Sequence, residues 1–229
     1  DEKLNSIISS GTKVEKIADG FSFTEGPVWH PDGYLLFSDP NTNTIYRYNP
    51  SNHNVTVYMS HSGYTGADIG EYGQPGSNGL AIDKEGRLIV DQHGNRRVVR
   101  YEKKGPLTVL ADKIDGKRFN SPNDVVLKSD GSIYFTDPPY GLPDFFNDTR
   151  KELDYSGVFM IKNGKVSVVS KDLGGPNGLA FSPDEKYMYI SNWDILDIHH
   201  TKTLWRYEVQ PDGSLKNGKI FFDWNITED

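Results

Sequence analysis

Four oxygen-bearing side chains recur in one register along the chain. Glu25 opens EGPVWHPDG, Asn78 opens NGLAIDKEG, Asn123 opens NDVVLKSDG and Asn177 opens NGLAFSPDE. One carboxylate and three carboxamides returned to the same place suggest a ring of hard oxygen donors, the kind of set that Ca²⁺ selects. Asn-Gly pairs are common in turns, but a turn has no need of Glu25, so a purely structural reading leaves that residue unexplained. A second apolar run follows each slot, and these runs end near Asp39, Asp91, Asp137 and Asn192. They are expected to form a second polar ring outside the first, in which Asp137 and Asn192 are candidate substrate contacts. His93 follows the second of these runs and is a candidate substrate contact. Asp124, beside Asn123, reads as an orienting or turn residue and not as a base. His199 and His200 lie in a polar loop where any metal binding would be incidental.

The elements that must position these residues are strands. After each slot comes a turn, with Gly at 33, 86 and 131 and Glu185 in the fourth copy, and then YLLFSD, RLIVDQ, SIYFTD or YMYISN. A third run follows (TIYRYN, RVVRYE, GVFMIK, TLWRYE), and a fourth precedes the next slot (VTVYMS, LTVLAD, VSVVSK, KIFFDW), with VEKIAD ahead of Glu25. These runs are short, β-branched and aromatic, and turn residues separate them. Four strands repeating at about 45 to 54 residues predict an all-β fold of β-propeller type. One domain is expected over 1–229, with blades near 18–50, 55–103, 107–162 and 166–210 and the start of a fifth at 219–229. If the slot strands line a central channel, all four slots meet at one mouth. The long Gly-rich stretch 62–77 before Asn78 is expected to be a loop shaping that mouth. Trp29, Trp193, Trp205 and Trp224 read as blade packing.

Composition narrows the partners. The formal net charge of −7 comes without any basic run, which argues against nucleic acid. No apolar segment approaches the roughly 20 residues of a membrane-spanning helix. With no cysteine, neither disulfides nor thiolate zinc sites are available. A start at Asp1 is what a cleaved leader leaves, as does trimming, and tilts the expectation toward a secreted or periplasmic protein. The sequons at Asn54, Asn147 and Asn225 do not decide the compartment. Oligomeric state is left open.

The motifs EGPVW, SPNDVV, FTDPPYG and PNGLAFSPD resemble the gluconolactonase branch of the senescence-marker-protein/regucalcin family, from about residue 12 onward. PGSNGL followed by DQHGNRR resembles its bacterial gluconolactonase-type members. The resemblance implies a six-bladed propeller with a divalent cation in the channel, usually Ca²⁺, with Zn²⁺, Mn²⁺ or Mg²⁺ as alternatives. It also implies hydrolysis of a sugar lactone to the aldonic acid, or of organophosphates in some relatives. Glu25, Asn123 and Asn177 match the family's metal ligands, and Asn78 is expected to line the pocket and bond water or substrate. The family's remaining ligand, an Asp proposed as base, falls on a fifth blade.

That base is expected beyond this chain. Slots follow their opening strands by eleven residues, as from Val14 to Glu25, and eleven residues on from Ile220 pass Asp229. The expectation is therefore four blades plus one strand, with the catalytic base past Asp229. A propeller that binds a ligand or a protein without catalysis is the alternative reading, since it could keep the repeats without the base.

Overall fold

The protein is described from a computed structural model, over residues 4–194 and 202–225. His199, His200 and Asp229 lie outside the described residues. Eighteen strands and five 3-10 turns make up the described chain, which contains no α-helix. Sixteen of the strands form four antiparallel four-stranded sheets, each in simple sequential order. The first sheet holds β1 (Glu25–His30), β2 (Tyr34–Asp39), β3 (Thr44–Asn49) and β4 (Asn54–Ser60). The second holds β5 (Ser77–Ile82), β6 (Leu88–Gln92), β7 (Arg97–Arg100) and β8 (Thr108–Ala111). A small ribbon, β9 (Lys113–Ile114) with β10 (Lys117–Arg118), leads to the third: β11 (Val125–Leu127), β12 (Ile133–Asp137), β13 (Gly157–Lys162) and β14 (Lys165–Ser170). The fourth holds β15 (Pro176–Phe181), β16 (Tyr187–Trp193), β17 (Lys202–Val209) and β18 (Leu215–Asp223). Up-and-down sheets with their first strands side by side are the blades of a β-propeller.

Strand pairing shifts the expected blade boundaries. VTVYMS, LTVLAD, VSVVSK and KIFFDW pair with the strand before them, as outermost strands of the sheet they follow. The physical reason is local, because each is joined to its partner by a short connection that closes an antiparallel hairpin. The sheets thus span 25–60, 77–111, 125–170 and 176–223, and KIFFDW completes the fourth instead of opening a fifth. VEKIAD belongs to no strand, and Val14 is fully exposed.

Sheet-to-sheet packing supplies the core. One cluster joins the first two sheets through Leu36, Ile45, Leu80 and Val90. A second joins the second and third, centred on Phe119, Phe135 and Phe159 with ring centroids 5.0 to 5.3 Å apart. A third joins the third and fourth through Tyr134, Met188, Ile190 and Tyr207. Each fully buried aromatic stabilises by about 1.5–3 kcal/mol relative to exposure. Trp29, Trp193 and Trp224 depart from the expected packing role, being about half exposed, while Trp205 stacks on Tyr207. The outermost strand of the fourth sheet likewise exposes Ile220, Phe221 and Phe222.

The slot-plus-eight turns adopt left-handed backbone, with φ of +88° at Gly33, +73° at Gly86 and +88° at Gly131. Glu185 takes the same conformation, φ 54°, where an L side chain costs about 1–2 kcal/mol. Its carboxylate offsets this by accepting from Lys128 Nζ at 2.7 Å and from Ser129 N and Oγ at 2.6 Å, tying the third blade to the fourth.

Candidate functional site

Three of the four slot strands share an irregularity. In β1, β5 and β15 the ladder to the second strand slips by one residue at Glu25/Val28, Ser77/Leu80 and Pro176/Leu179. Such a bulge bends a strand and redirects a side chain, which is why bulges gather beside active sites. The glycine after the slot serves close packing more than turning. At Gly26, φ +53°, a Cβ would lie 2.1 Å from the Asn78 carbonyl oxygen, and at Gly79 it would lie 2.7 Å from Asp124 Cα. Neighbouring channel strands therefore touch backbone to backbone, and Gly79 N donates to Asn123 O at 2.6 Å.

Glu25, Asn123 and Asn177 converge on one cleft of about 300 Å³, which Asp124, Gly26 and Gly178 also line. Asn123 is nearly fully buried, and its Oδ1 has no hydrogen-bond partner. Its backbone is locked from both sides, N donating to Thr136 O at 2.8 Å while O receives Gly79 N. Asp124 keeps some exposure to the cleft, and its carboxylate accepts from Leu179 N at 2.9 Å in the fourth blade. That contact fits the orienting role read from the sequence. Desolvation pushes Asp124's pKa up to about 6, against the pull of the Leu179 and Val125 amides. Glu25 is also held above its usual range, first by burial and then by the negative charge of Asp124.

Among the described residues no three carboxylate, imidazole or thiol side chains converge, so any cation here has a mixed donor set. A carboxylate, an orphaned buried amide oxygen and a second carboxamide around a negatively biased cleft fit a hard divalent ion. Burying an acceptor such as Asn123 Oδ1 without a partner costs about 1–3 kcal/mol, which an ion would recover.

The second ring differs from expectation. Counted from the Gly turn, the residue matching Asp39 and Asp137 is Gln92, not Asp91. Three of the four hold the segment entering their own blade: Asp39 accepts from Ser22 N and Phe23 N, Asp137 from Asn120 N and Ser121 N, and Asn192 from Gly175 N. Gln92 meets a carbonyl instead and donates to Ser62 O at 2.8 Å, anchoring the 62–77 loop. Asp91 sits one step along, at the position that Ser38, Thr136 and Ser191 occupy elsewhere. It is 0% exposed with neither carboxylate oxygen hydrogen-bonded. Burial, then the charges of Asp124 and Asp137, push its pKa far up.

Among the expected substrate contacts, Asn192 borders a wider cleft, which Asn177, Trp193, Lys202 and Trp224 also line. Asp137 is fully buried with both oxygens bound to backbone N–H groups, which removes it from substrate contact. Asn78 is 3% exposed, with its backbone carbonyl packed against Gly26. His93 is likewise enclosed at 0%, with Nε2 at 3.4 Å from Asn123 Nδ2, and burial lowers its pKa to about 4. The 62–77 loop is pinned across to the third blade by Arg150, which pairs with Glu71 and lies over the Tyr72 ring.

Fold and site together define a β-propeller whose channel mouth presents a carboxylate–carboxamide oxygen cluster. The chain belongs to the SMP-30/gluconolactonase/LRE-like family, whose profile matches residues 23–228. It is 37% identical over 218 residues to a gluconolactonase of Zymomonas mobilis, covering 92% of this chain and 59% of that one. A gluconolactonase structure from Xanthomonas campestris superposes with TM-score 0.73 at 28% identity, covering 90% of this chain and 64% of that one. A calcium-binding regucalcin from Agrobacterium tumefaciens shares the fold, with TM-score 0.62 at 17% identity over 89% of this chain and 60% of that one. The chain thus spans about three fifths of the length of these relatives.

Proposed function

We propose that this chain carries the metal-binding part of a lactonase that opens a sugar lactone to its aldonic acid. The observation that carries this reading is the meeting of Glu25, Asn123 and Asn177 on one cleft, with Asn123 Oδ1 buried and unpaired. Its agreement with gluconolactonase relatives adds the substrate class. Glu25, Asn123 and Asn177 would hold the divalent cation, with Ca²⁺ the best match to an all-oxygen set. When bound, it supplies Lewis-acid polarisation of the lactone carbonyl. With Glu25 the single acidic ligand among the three, little of the cation's charge is cancelled. Repulsion between Glu25 and Asp124 is relieved when Glu25 has a cationic partner. Asp124 keeps the Asn123 segment registered on the fourth blade through Leu179 N. Asn192, Trp193 and Lys202, beside Asn177, form a wall with polar and aromatic parts that suits one face of a sugar ring. Hydrolysis adds water across the acyl C–O bond, and the carboxylate that activates the water is not assigned to any of these residues.

The test is proton release from D-glucono-lactone in a pH-stat, with the spontaneous rate subtracted, in Ca²⁺ or in chelator. Chelator-sensitive turnover is expected. Because the water-activating carboxylate is not among these residues, metal binding without turnover refutes the lactonase reading and favours a ligand-binding propeller only if it persists in a protein of the relatives' full length. Preference for a fluorophosphate would move the substrate class.

A further inference from the structure

His93 has no access to the channel, yet it touches the residue on which the proposed metal site depends. Its Nε2 lies 3.4 Å from Asn123 Nδ2, across 30 residues of sequence and from one blade to the next. The backbone of His93 is fixed and its ring root is packed, while Nδ1 has no hydrogen-bond partner. Its backbone N donates to Gly76 O at 3.2 Å, its carbonyl accepts from Arg96 N at 3.0 Å, and its Cβ packs where a side chain on Gly141 would have to sit. Asn123 has equally little freedom, since its N and O are both bound in the channel wall. What backbone locking leaves undecided is which end of the carboxamide faces the cleft.

An amide can present oxygen or nitrogen to a metal, and only oxygen ligates. A neutral imidazole with an unprotonated Nε2 accepts from the amide NH₂ and turns Oδ1 away from itself. An imidazole carrying hydrogen on Nε2 would attract Oδ1 and leave the NH₂ toward the cleft. The observed arrangement has Nδ2 at His93 and Oδ1 unpaired. If Nε2 accepts from Asn123, Nδ1 is the nitrogen left to carry the ring hydrogen.

We propose that His93 is a positioning residue for the metal site: by accepting a hydrogen bond from Asn123 Nδ2 it fixes the carboxamide with Oδ1 toward the cation. This rests on the reading of Glu25, Asn123 and Asn177 as ligands. Groups that orient ligands from behind typically alter metal affinity by roughly 10- to 100-fold when removed. The role also accounts for a histidine held fully buried with no route to substrate.

The test is Ca²⁺ affinity by calorimetry on the full chain, with thermal unfolding as a control for folding. His93→Leu removes the acceptor and should weaken Ca²⁺ binding by roughly 10- to 100-fold. His93→Gln, whose Oε1 can accept from Asn123 Nδ2, should restore most of the affinity. In an Asn123→Asp background either carboxylate oxygen can ligate, so His93→Leu should there change affinity little. Equal losses in both backgrounds would show a general structural effect and overturn the positioning role, as would wild-type affinity in His93→Leu. Failure of the wild-type chain to bind Ca²⁺ would overturn the metal site itself and this inference with it. A further readout is independent of metal: ¹⁵N spectra should show a neutral His93 protonated on Nδ1, and an Nε2–H tautomer would contradict the account.

Discussion

Asp91 offers the sharpest energetic test, because the other three blades carry a hydroxyl at its position. Replacing it by Thr copies Thr136, a strand residue whose Oγ1 donates to Asn177 O at 2.8 Å. The wild-type carboxyl is fully buried and unpaired, with Asp124 and Asp137 close enough to disfavour its ionisation. Even in its neutral form an unsatisfied buried polar group costs about 1–3 kcal/mol, so Asp91→Thr should stabilise the fold by about that much. The pH dependence follows from linkage. Burial raises the folded-state pKa of Asp91 above its unfolded value near 3.8, so the folded state holds the proton more tightly. Wild-type stability from this group is therefore present below pH 3.8 and is lost as pH rises through the folded pKa. The variant lacks the group, and its advantage should grow by up to about 1.4 kcal/mol per pH unit above 4. Asp124 and Asp137 stay in both proteins and largely cancel from the difference. Urea unfolding in chelator at pH 4, 5.5 and 7 would measure it. A gap that stays flat across this range, or a variant less stable at pH 7, would refute the picture of an unpaired buried acid.

Other predictions follow from the same geometry. Gly79→Ala places a Cβ 2.7 Å from Asp124 Cα, which backbone cannot yield cheaply, so a loss of about 1–3 kcal/mol in urea unfolding and weaker Ca²⁺ binding are expected together. Glu185→Gly loses the contacts to Lys128 and Ser129 but relieves the left-handed strain, leaving stability within about 1 kcal/mol of wild type. Glu185→Ala keeps the strain and loses the contacts, and thermal melts should show it to be the less stable of the two. Glu25→Gln should reduce Ca²⁺ affinity and lactone turnover in parallel, and an unchanged calorimetric titration would remove Glu25 from the ligand set.

How far the sequence could be read depended on whether a signal was periodic or spatial. The repeat marked four slots, Glu25, Asn78, Asn123 and Asn177, at equivalent points of successive blades, and a propeller turns that register into proximity for the three that line one cleft. The choice of those three as metal ligands came from the family resemblance. The same register misled where chemical type was matched ahead of position: aligning acid with acid paired Asp91 with Asp39, whereas counting from the Gly turns gives Gln92. Blade boundaries shifted because hairpin closure, not the spacing to the next slot, decides where an outer strand such as KIFFDW pairs. The glycines after the slots looked like turn residues, and only the packing of β1 on β5 and of β5 on the Asn123 segment shows why Gly26 and Gly79 are needed. His93 meets Asn123 across two blades, a contact no local pattern encodes. The burial of Asp137 and Asn78 was hidden for the same reason, since strand ends at a channel mouth read alike whether they face solvent or a neighbouring backbone.

The most direct measurement is an anomalous difference map from crystals of this chain soaked in Mn²⁺, a stand-in for Ca²⁺ with a strong anomalous signal. A single strong peak bounded by the Glu25 carboxylate, Asn123 Oδ1 and the Asn177 carboxamide oxygen is the predicted result, lost in Glu25→Gln crystals. A cleft without a peak, or a peak that leaves out Asn123 Oδ1, would contradict the account.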